Sequence, residues 1–251
     1  AILYAFSGNF TVVMVNCLTM KINSGLKKLV IKGSVFIISM FFAIFYPDIL
    51  TFLFTYEIVF FKVYHVLWFL TILILIKRLI PRFNKKINLG KIYGRNFVPA
   101  GEDNPTKQKK LVDYTRKMNF GAIRSAIYWA ALVLMMGFWH MVGLLNTMWL
   151  CIIVIFFIFM DQFCATIWCP FQEIVQNKCC NTCRINNWGY LMAFSPLVYA
   201  PSFWTYSIIG MSIVAIVQWE YLYYRHPERF YELYNANLMC KHCVKKCRYK
   251  A

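Results

Sequence analysis

The residues of this chain best suited to chemistry are seven cysteines, which lie in two short segments rich in Lys, Asn and Arg. They are Cys169, Cys179, Cys180 and Cys183 in the first segment, and Cys240, Cys243 and Cys247 in the second. Each segment contains a C-x2-C pair, a spacing that lets two thiolates bind one metal ion from a single turn. If the fold brings both segments to the same face, their cysteines can complete one tetrahedral thiolate site.

The type of group bound there follows from thiolate chemistry. Tetrathiolate sites suit zinc or an iron–sulfur cluster, and nearby Lys and Arg lower thiol pKa values and offset the negative charge of a cluster. His242 lies between Cys240 and Cys243 and can replace one thiolate. Palmitoylation near a membrane and redox-active or unligated thiols are the alternatives that the spacing leaves open. Cys17 and Cys151 lie in apolar runs, which is typical of small buried side chains.

The chain is both strongly apolar and strongly basic. Of its 251 residues, 60% are hydrophobic and 19% are aromatic, and the mean hydropathy is +0.53. These values exceed those of soluble domains and indicate a chain embedded in membrane lipid. The net charge of +17 must then concentrate in the loops, where it favours anionic lipid or an acidic protein partner. We expect no nucleic-acid partner.

This pattern predicts an all-α fold: a polytopic membrane protein of about six transmembrane helices with a cytoplasmic Cys-rich loop and tail. The expected parts are an unassigned N-terminal segment (1–28), a transmembrane hairpin (29–80), a basic cytoplasmic loop (81–123), a transmembrane hairpin (124–168), a Cys-rich loop (169–187), a transmembrane or re-entrant hairpin (188–224) and a basic Cys-rich tail (225–251). The second helix is expected over residues 57–76. Residues 188–200, which Pro196 interrupts, either cross as a thin helix or re-enter.

Positive charge predicts the orientation of these helices. Residues 77–124 hold thirteen Lys or Arg against three acids, and seven basic residues follow Tyr224. The links between the first and second helices and between the third and fourth hold none. Because Lys and Arg collect in cytoplasmic loops, six crossings of the cell membrane bring every basic segment and both Cys segments to the cytoplasm.

Two histidines lie inside predicted helices. His65 and His140 fall roughly 12 and 8 Å from the outer ends of their helices, at 1.5 Å per residue. They could bind one b-type haem between them, which would extend an electron path from a cytoplasmic cluster. The alternative is that each is a hydrogen-bonded histidine in a helix interface.

Other ionisable and aromatic residues lie near the predicted helix ends. Asp161, near the cytoplasmic end of the fourth helix, has either a proton or quinone role or an ion pair with Lys or Arg. Glu57 and Lys62 are expected to be peripheral or mutually paired. The aromatic run Trp219–Phe230 is typical of an interfacial belt.

The stretch F-C-A-T-I-W-C-P-F-Q-E-I, residues Phe163–Ile174, resembles the membrane-exit motif of the integral-membrane polyferredoxin family of quinol dehydrogenases, in which paired cysteines precede C-P-x-G. Four residues separate Cys164 from Cys169, where the family usually has three, and Phe171 and Gln172 stand where a Gly is expected. The resemblance implies a [4Fe-4S] cluster with Cys164 and Cys169 among its ligands, and quinone-linked electron transfer.

We therefore expect a membrane electron-transfer protein, such as an oxidoreductase subunit, with an iron–sulfur cluster on its cytoplasmic cysteines. It would link an acidic soluble electron carrier or a partner subunit to membrane quinone. The alternative is a structural or regulatory membrane protein whose cysteines hold zinc and clamp the tail to the loop. A transporter or lipid-modifying enzyme is a third class. The solvated segments contain no Ser-His-Asp set, H-E-x-x-H motif or phosphate loop.

Overall fold

The computed structural model describes residues 24–58, 61–80, 90, 92–176 and 183–239. The helices in these residues are α1 Ser24–Phe45, α2 Pro47–Thr55, α3 Val63–Leu79, α4 Pro105–Met141, α5 Thr147–Thr166, α6 Pro170–Val175, α7 Gly189–Phe194 and α8 Phe203–Arg225. Short 3₁₀ turns cover Gly94–Asn96, Arg184–Asn187, Ser195–Tyr199, Pro227–Phe230 and Ala236–Leu238. Two-residue strands β1 Glu57–Ile58 and β2 Phe61–Lys62 pair antiparallel. Apart from this strand pair the described chain is helical, which confirms the predicted all-α class.

Three helices in the described residues are long and apolar enough to cross a membrane. They are Gly25–Phe45 within α1, Pro105–Met141 and Thr147–Thr166. Large apolar side chains on two of them, Ile37 and Leu134, are 67% and 70% exposed. Such exposure suits contact with lipid tails, which are as apolar as the side chains themselves. Length, composition and exposure therefore support membrane association, whereas the other three predicted crossings stay predictions.

The basic segment is helical over its second half, which corrects the expectation of a loop over 81–123. Helix α4 begins at Pro105 and continues for 37 residues. Asn104 caps it, because its side-chain oxygen accepts a hydrogen bond from the Lys107 backbone N–H at 2.8 Å. Proline is favoured at the first helical position, where its missing N–H would have no intrahelical partner. Pro105 therefore starts a helix here instead of marking a loop.

The second predicted helix begins later than the expected residue 57. The chain first forms β1 and β2, and α3 starts only at Val63. The Glu57 carboxylate and the Lys62 ammonium group lie 3.5 Å apart across the strand pair, so these two charges are paired, as the sequence suggests. Aromatic and β-branched side chains such as Phe61 and Ile58 favour extended backbone. Helix α3 is consequently 17 residues long, or about 26 Å.

Helices α1 and α5 form an antiparallel pair. A Cβ at Gly25 would lie 3.7 Å from Thr166 Oγ1, an ordinary contact distance, so the start of α1 meets the end of α5. Further along, the Phe36 and Phe159 rings stack with centroids 5.9 Å apart. Helix α1 begins five residues before the expected residue 29, and it ends before Pro47, where the sequence predicts a break.

Helices α3 and α8 run parallel to each other. Near their starts, the Trp68 indole donates a hydrogen bond to Ser207 Oγ at 2.7 Å. Near their ends, the Gln218 amide donates to the Leu79 carbonyl at 3.2 Å. Each contact pair is separated by eleven residues along its own helix, so the two helices keep a constant register over about 16 Å.

The segment that contains α7 extends beside α4. The Trp129 indole donates to Ser195 Oγ at 3.0 Å, and the Tyr199 hydroxyl donates to the Val133 carbonyl at 2.9 Å. Pro196 has no backbone N–H, so α7 gives way to a 3₁₀ turn at this point. The segment predicted to be a thin helix or a re-entrant piece is therefore a broken helix packed against α4.

One apolar cluster fills the end of the bundle at which the Cys-rich loop lies, which we call the basic end. It combines Val175 from α6, Trp219 from α8 and Phe230 from the tail. Helix α6 approaches α4 closely because Gly121 has no side chain: a Cβ there would lie 2.7 Å from Val175 Cα. The cluster thus joins the Cys-rich loop, α4, α8 and the tail.

The described part of the tail docks on the basic segment. The Ala236 N–H donates to the Val98 carbonyl at 2.9 Å, and the Ala100 N–H donates to the Tyr234 carbonyl at 3.0 Å. The Tyr234 hydroxyl also donates to Asp103 Oδ1 at 2.8 Å. These contacts hold the described parts of both basic segments at the same end of the bundle.

Candidate functional site

Three cysteines from separate segments line one cavity at the basic end. Cys164 comes from the last turn of α5, Cys169 directly precedes α6, and Cys183 directly precedes the turn Arg184–Asn187. The cavity has a volume of about 90 Å³, several times the space that one water molecule needs. Asp161 also lines it. Three of the predicted ligands are therefore brought to one site.

The rest of the cavity wall is largely apolar. It includes the side chains of Trp129, Phe157 and Phe171. Cys169 and Cys183 are only 9% and 7% exposed. These two thiols are therefore largely shielded from solvent.

The turn from α5 into α6 follows from its sequence. Helix α5 ends at Thr166, and Cys169 adopts an extended conformation with φ −124° and ψ 118°. A residue before proline is biased toward extended backbone, and Pro170 is well suited to the first position of α6. The Gln172 N–H donates to the Cys169 carbonyl at 3.0 Å. This short reversal brings Cys164 and Cys169 to the same cavity.

Asp161 adds a carboxylate to the cavity. It lies one turn before Cys164, so both side chains are on neighbouring positions of one helix face. Gly189 leaves room for it, since a Cβ at this position would lie 2.7 Å from Asp161 Oδ1. Lys32 of α1 lies within electrostatic range of Asp161, and its ammonium group donates to the Ile158 carbonyl at 3.4 Å. The cavity therefore has an oxygen donor beside its sulfur donors.

Arg184, the residue after Cys183, is held by side chains from two helices. Its Nε donates to Glu220 Oε2 at 2.9 Å, its Nη2 pairs with the same oxygen, and its Nη1 donates to Asn119 Oδ1. The Trp188 indole donates to the other Glu220 oxygen at 2.8 Å. The Arg184 and Glu220 side chains are 17% and 24% exposed. This shielded pair restrains the backbone next to Cys183.

Asn187 provides a second anchor for the same turn. Arg78 Nη1 of α3 donates to Asn187 Oδ1 at 3.1 Å, and Asn187 Nδ2 donates to the Ala215 carbonyl at 3.4 Å. The Trp219 indole donates to the Arg184 carbonyl at 3.0 Å. The turn between the Cys-rich loop and α7 is thus attached to α3, α4 and α8.

The cysteine side chains around the cavity are of the type that binds a thiophilic metal group. Soft thiolates suit zinc and iron–sulfur clusters. In the described part of the chain, no group of three or more His, Cys, Asp or Glu side chains is close enough to hold a metal ion, so the thiols surround the cavity without meeting at one point. A single zinc ion needs four donors at about 2.3 Å, whereas a cluster contains several metal and sulfide atoms. Binding of zinc or of a cluster at this cavity stays a prediction.

The other predicted ligands lie outside the described residues. They are Cys179, Cys180, Cys240, Cys243 and Cys247. They belong to the stretches 177–182 and 240–251. Val175 and Phe230, which come shortly before these two stretches, pack in the same cluster. A site shared by loop and tail stays a prediction.

The two histidines predicted as haem ligands contact different partners. His65 Nδ1 accepts a hydrogen bond from the Lys62 N–H at 3.1 Å, and its ring lies 4.4 Å from that of Trp204. His140 Nδ1 lies 2.6 Å from the Leu145 carbonyl, and its ring is 6.2 Å from Tyr199. Each ring therefore has the local bond that the alternative interpretation expected. Haem binding between them stays a prediction.

Sequence reasoning missed the Arg184–Glu220 pair and misjudged part of the aromatic run. Trp219 and Tyr223 are 3% exposed and belong to the core cluster at the basic end, so they are not part of an interfacial belt. Tyr224, by contrast, is 84% exposed. The available signal was Glu220, a single acid within an apolar helix, because such a residue usually has a partner in the bundle.

Comparisons with protein-family models, with curated proteins and with solved structures found no match to this chain.

Proposed function

We propose that this chain is a membrane electron-transfer protein that holds an iron–sulfur cluster at the basic end of a six-crossing bundle. The basic end faces the cytoplasm, and the cluster receives electrons from an acidic soluble carrier and passes them to quinone or to a partner subunit. The observation that carries this proposal is the single cavity lined by Cys164, Cys169 and Cys183.

The contacts between helices support the six-crossing topology. Helix α1 is antiparallel to α5, α3 is parallel to α8, and the segment through α7 follows α4. These directions agree with a chain that alternates between two faces and returns to the basic end after α8. Under this topology every basic segment lies on one side, as the distribution of Lys and Arg requires.

The residues around the cavity have separate tasks in this proposal. Cys164, Cys169 and Cys183 would hold the cluster, with further thiolates from the Cys-rich loop and the tail. When bound, an iron–sulfur cluster supplies one-electron transfer at a potential that depends on charge and solvent exposure. Asp161, which lines the cavity, offers a carboxylate that can accept a proton.

Protein purified without oxygen provides the test. We expect broad visible absorption that bleaches on reduction, together with iron and acid-labile sulfide. Cys169→Ser should remove all three signals because it deletes a ligand of the cavity. Cys151→Ser is the matched control, since Cys151 packs against an apolar cluster away from the cavity. Equal iron and sulfide in wild type and Cys169→Ser would contradict the proposal.

A zinc clamp is the second candidate, and tail docking favours it. The described tail packs into the same core as the Cys-rich loop, so a metal ion between the two would couple metal binding to folding. Stoichiometric zinc with a featureless visible spectrum would support this candidate over the cluster.

A double variant tests whether the tail supplies ligands to the zinc ion or the iron–sulfur cluster. If the tail takes part, Cys240→Ser with Cys243→Ser should release the metal and expose the tail to protease after Tyr224. Full metal content in this variant would instead indicate a site built on the loop alone. Its ligands would then come from Cys164, Cys169, Cys179, Cys180 and Cys183.

A further inference from the structure

A groove on α4 lies outside the cysteine cavity and is independent of any metal. It has a volume of about 480 Å³, and its lining includes Val112, Arg116, Phe120, Ile123 and Pro227. Val112, Phe120 and Ile123 are 66%, 57% and 59% exposed. An exposed apolar stripe with one guanidinium in it requires an explanation, because soluble surfaces rarely leave such residues uncovered together.

The topology given under Proposed function, on which this step rests, places the groove at the depth of lipid headgroups. The hydrocarbon layer is about 30 Å thick, which corresponds to about 20 helical residues. Counted from Met141, the outer end of α4, this distance ends near Gly121. Arg116 lies about 7 Å further along the helix, within the headgroup layer, whereas Ile123 reaches into the hydrocarbon.

We propose that this groove binds one anionic phospholipid of the cytoplasmic leaflet. Arg116 holds the phosphate, and an acyl chain lies along Phe120 and Ile123 toward the bilayer centre. Positions 116, 120 and 123 are one turn apart on the same helix face, so a single lipid can contact all three. Within the described residues, the Arg116 guanidinium is in no ion pair.

The surrounding charge favours an anionic over a zwitterionic headgroup. Lys109 and Lys117 lie within two turns of Arg116 on α4, against the single carboxylate of Asp113 on that part of the helix. An acidic soluble protein would also be attracted by these charges. It would gain nothing, however, from an apolar stripe that continues into the hydrocarbon layer, whereas a lipid chain would.

Native mass spectrometry of the full chain in detergent can test this proposal. The probes are phosphatidylglycerol and phosphatidylcholine with identical acyl chains. We expect one phosphatidylglycerol to be retained and phosphatidylcholine to bind less tightly. Arg116→Gln should weaken phosphatidylglycerol binding about fivefold to tenfold through loss of a charge-assisted contact, and Phe120→Ser should weaken both lipids.

Lys110→Gln is the matched control, because it removes the same charge from an exposed position of α4 that does not line the groove. It should leave phosphatidylglycerol binding nearly unchanged. Equal weakening by Lys110→Gln and Arg116→Gln would overturn the proposal and indicate diffuse attraction. Displacement of phosphatidylglycerol by inorganic phosphate, or by an acidic peptide as effectively as by competing lipid, would also overturn it, since neither probe has an acyl chain.

Discussion

At each end of the helix bundle the sequence predicts side chains that bind a cofactor. The structure arranges these side chains differently at the two ends. At the outer end, His65 and His140 lie at comparable predicted depths, yet each ring is bonded locally and packs against a different aromatic residue. At the basic end, Cys164, Cys169 and Cys183 belong to different structural elements and line one cavity.

The difference lies in what fixes the backbone beside each side chain. Cys183 is followed by Arg184, whose side chain is bonded to Glu220 and Asn119. His65 is instead part of the cap of its own helix. Four measurements test this contrast between the two ends of the bundle.

The largest expected effect is on metal content at the basic end. Cys183→Ser should lose essentially all bound metal, because the hydroxyl of Ser is a far weaker donor than a thiolate. Metal analysis of purified protein measures this directly. His65→Phe, at the other end of the bundle, should retain full metal content. Retention of metal in Cys183→Ser would show that the cavity is not the binding site.

The next effect is on stability, and it contrasts ion pairs at the two ends. Glu220→Gln should reduce the free energy of unfolding by about 2 kcal/mol, because it weakens charge-assisted bonds of a shielded Arg184. Glu57→Gln should cost less than about 0.5 kcal/mol, since Glu57 and Lys62 are 68% and 37% exposed. Thermal unfolding in detergent gives both values. Similar losses for the two variants would contradict the contrast.

A smaller effect is expected from alkaline pH on tail docking. Desolvation and the hydrogen bond to Asp103 raise the pKa of Tyr234 to about 12, above the ordinary value near 10. A raised pKa means that the folded state favours the protonated hydroxyl. Its contribution to docking is therefore complete below about pH 10 and is lost as pH rises toward 12.

Limited proteolysis of the tail between pH 9 and about 12 measures this loss. Tyr234→Phe removes the titrating hydroxyl and is the control, so its cleavage rate should show less pH dependence than that of the wild type. Identical pH profiles for the two proteins would exclude the Tyr234–Asp103 bond as a docking contact.

The smallest expected effect is on haem absorption. We expect no Soret band in the wild type and no spectral change in His65→Phe or His140→Phe, because His65 Nδ1 accepts a hydrogen bond from the Lys62 N–H, which places the ring proton on Nε2 and leaves no lone pair there for iron. Visible spectroscopy after growth with excess haem checks this expectation. A Soret band in the wild type that disappears in either variant would restore the histidine pair as a cofactor site.

Local features of the fold were predictable from sequence. The break before Pro47 was predictable because proline cannot continue a helix. The pairing of Glu57 with Lys62 was predictable because both residues lie in one short segment. By the same logic the start of α4 could have been found: Asn104 followed by Pro105 is a helix-start signal, but the surrounding Lys and Pro residues were interpreted as loop.

The cavity itself was only partly predictable. The family resemblance paired Cys164 with Cys169, and the Cys-rich segment grouped Cys169 with Cys183, but neither pattern shows that the three side chains face one cavity. They meet because a Gly at position 121 lets α6 pack on α4 and because Arg184 is bonded across to α8. Both contacts connect residues more than thirty positions apart.

The sequence by itself determined that this chain is helical and membrane-associated, and that its thiols are concentrated in basic segments. These properties depend on composition and on residues that are close together in the sequence. Helix periodicity and the hydrophobic effect act on these local features, so they can be predicted without the tertiary structure. Only the tertiary structure decided which thiols share a cavity, that Trp219 is buried and not interfacial, and that the tail docks on residues 92–104. Those outcomes depend on packing between segments that are distant in sequence. A glycine without a side chain or a single ion pair can favour one of several helix packings that bury similar apolar surface.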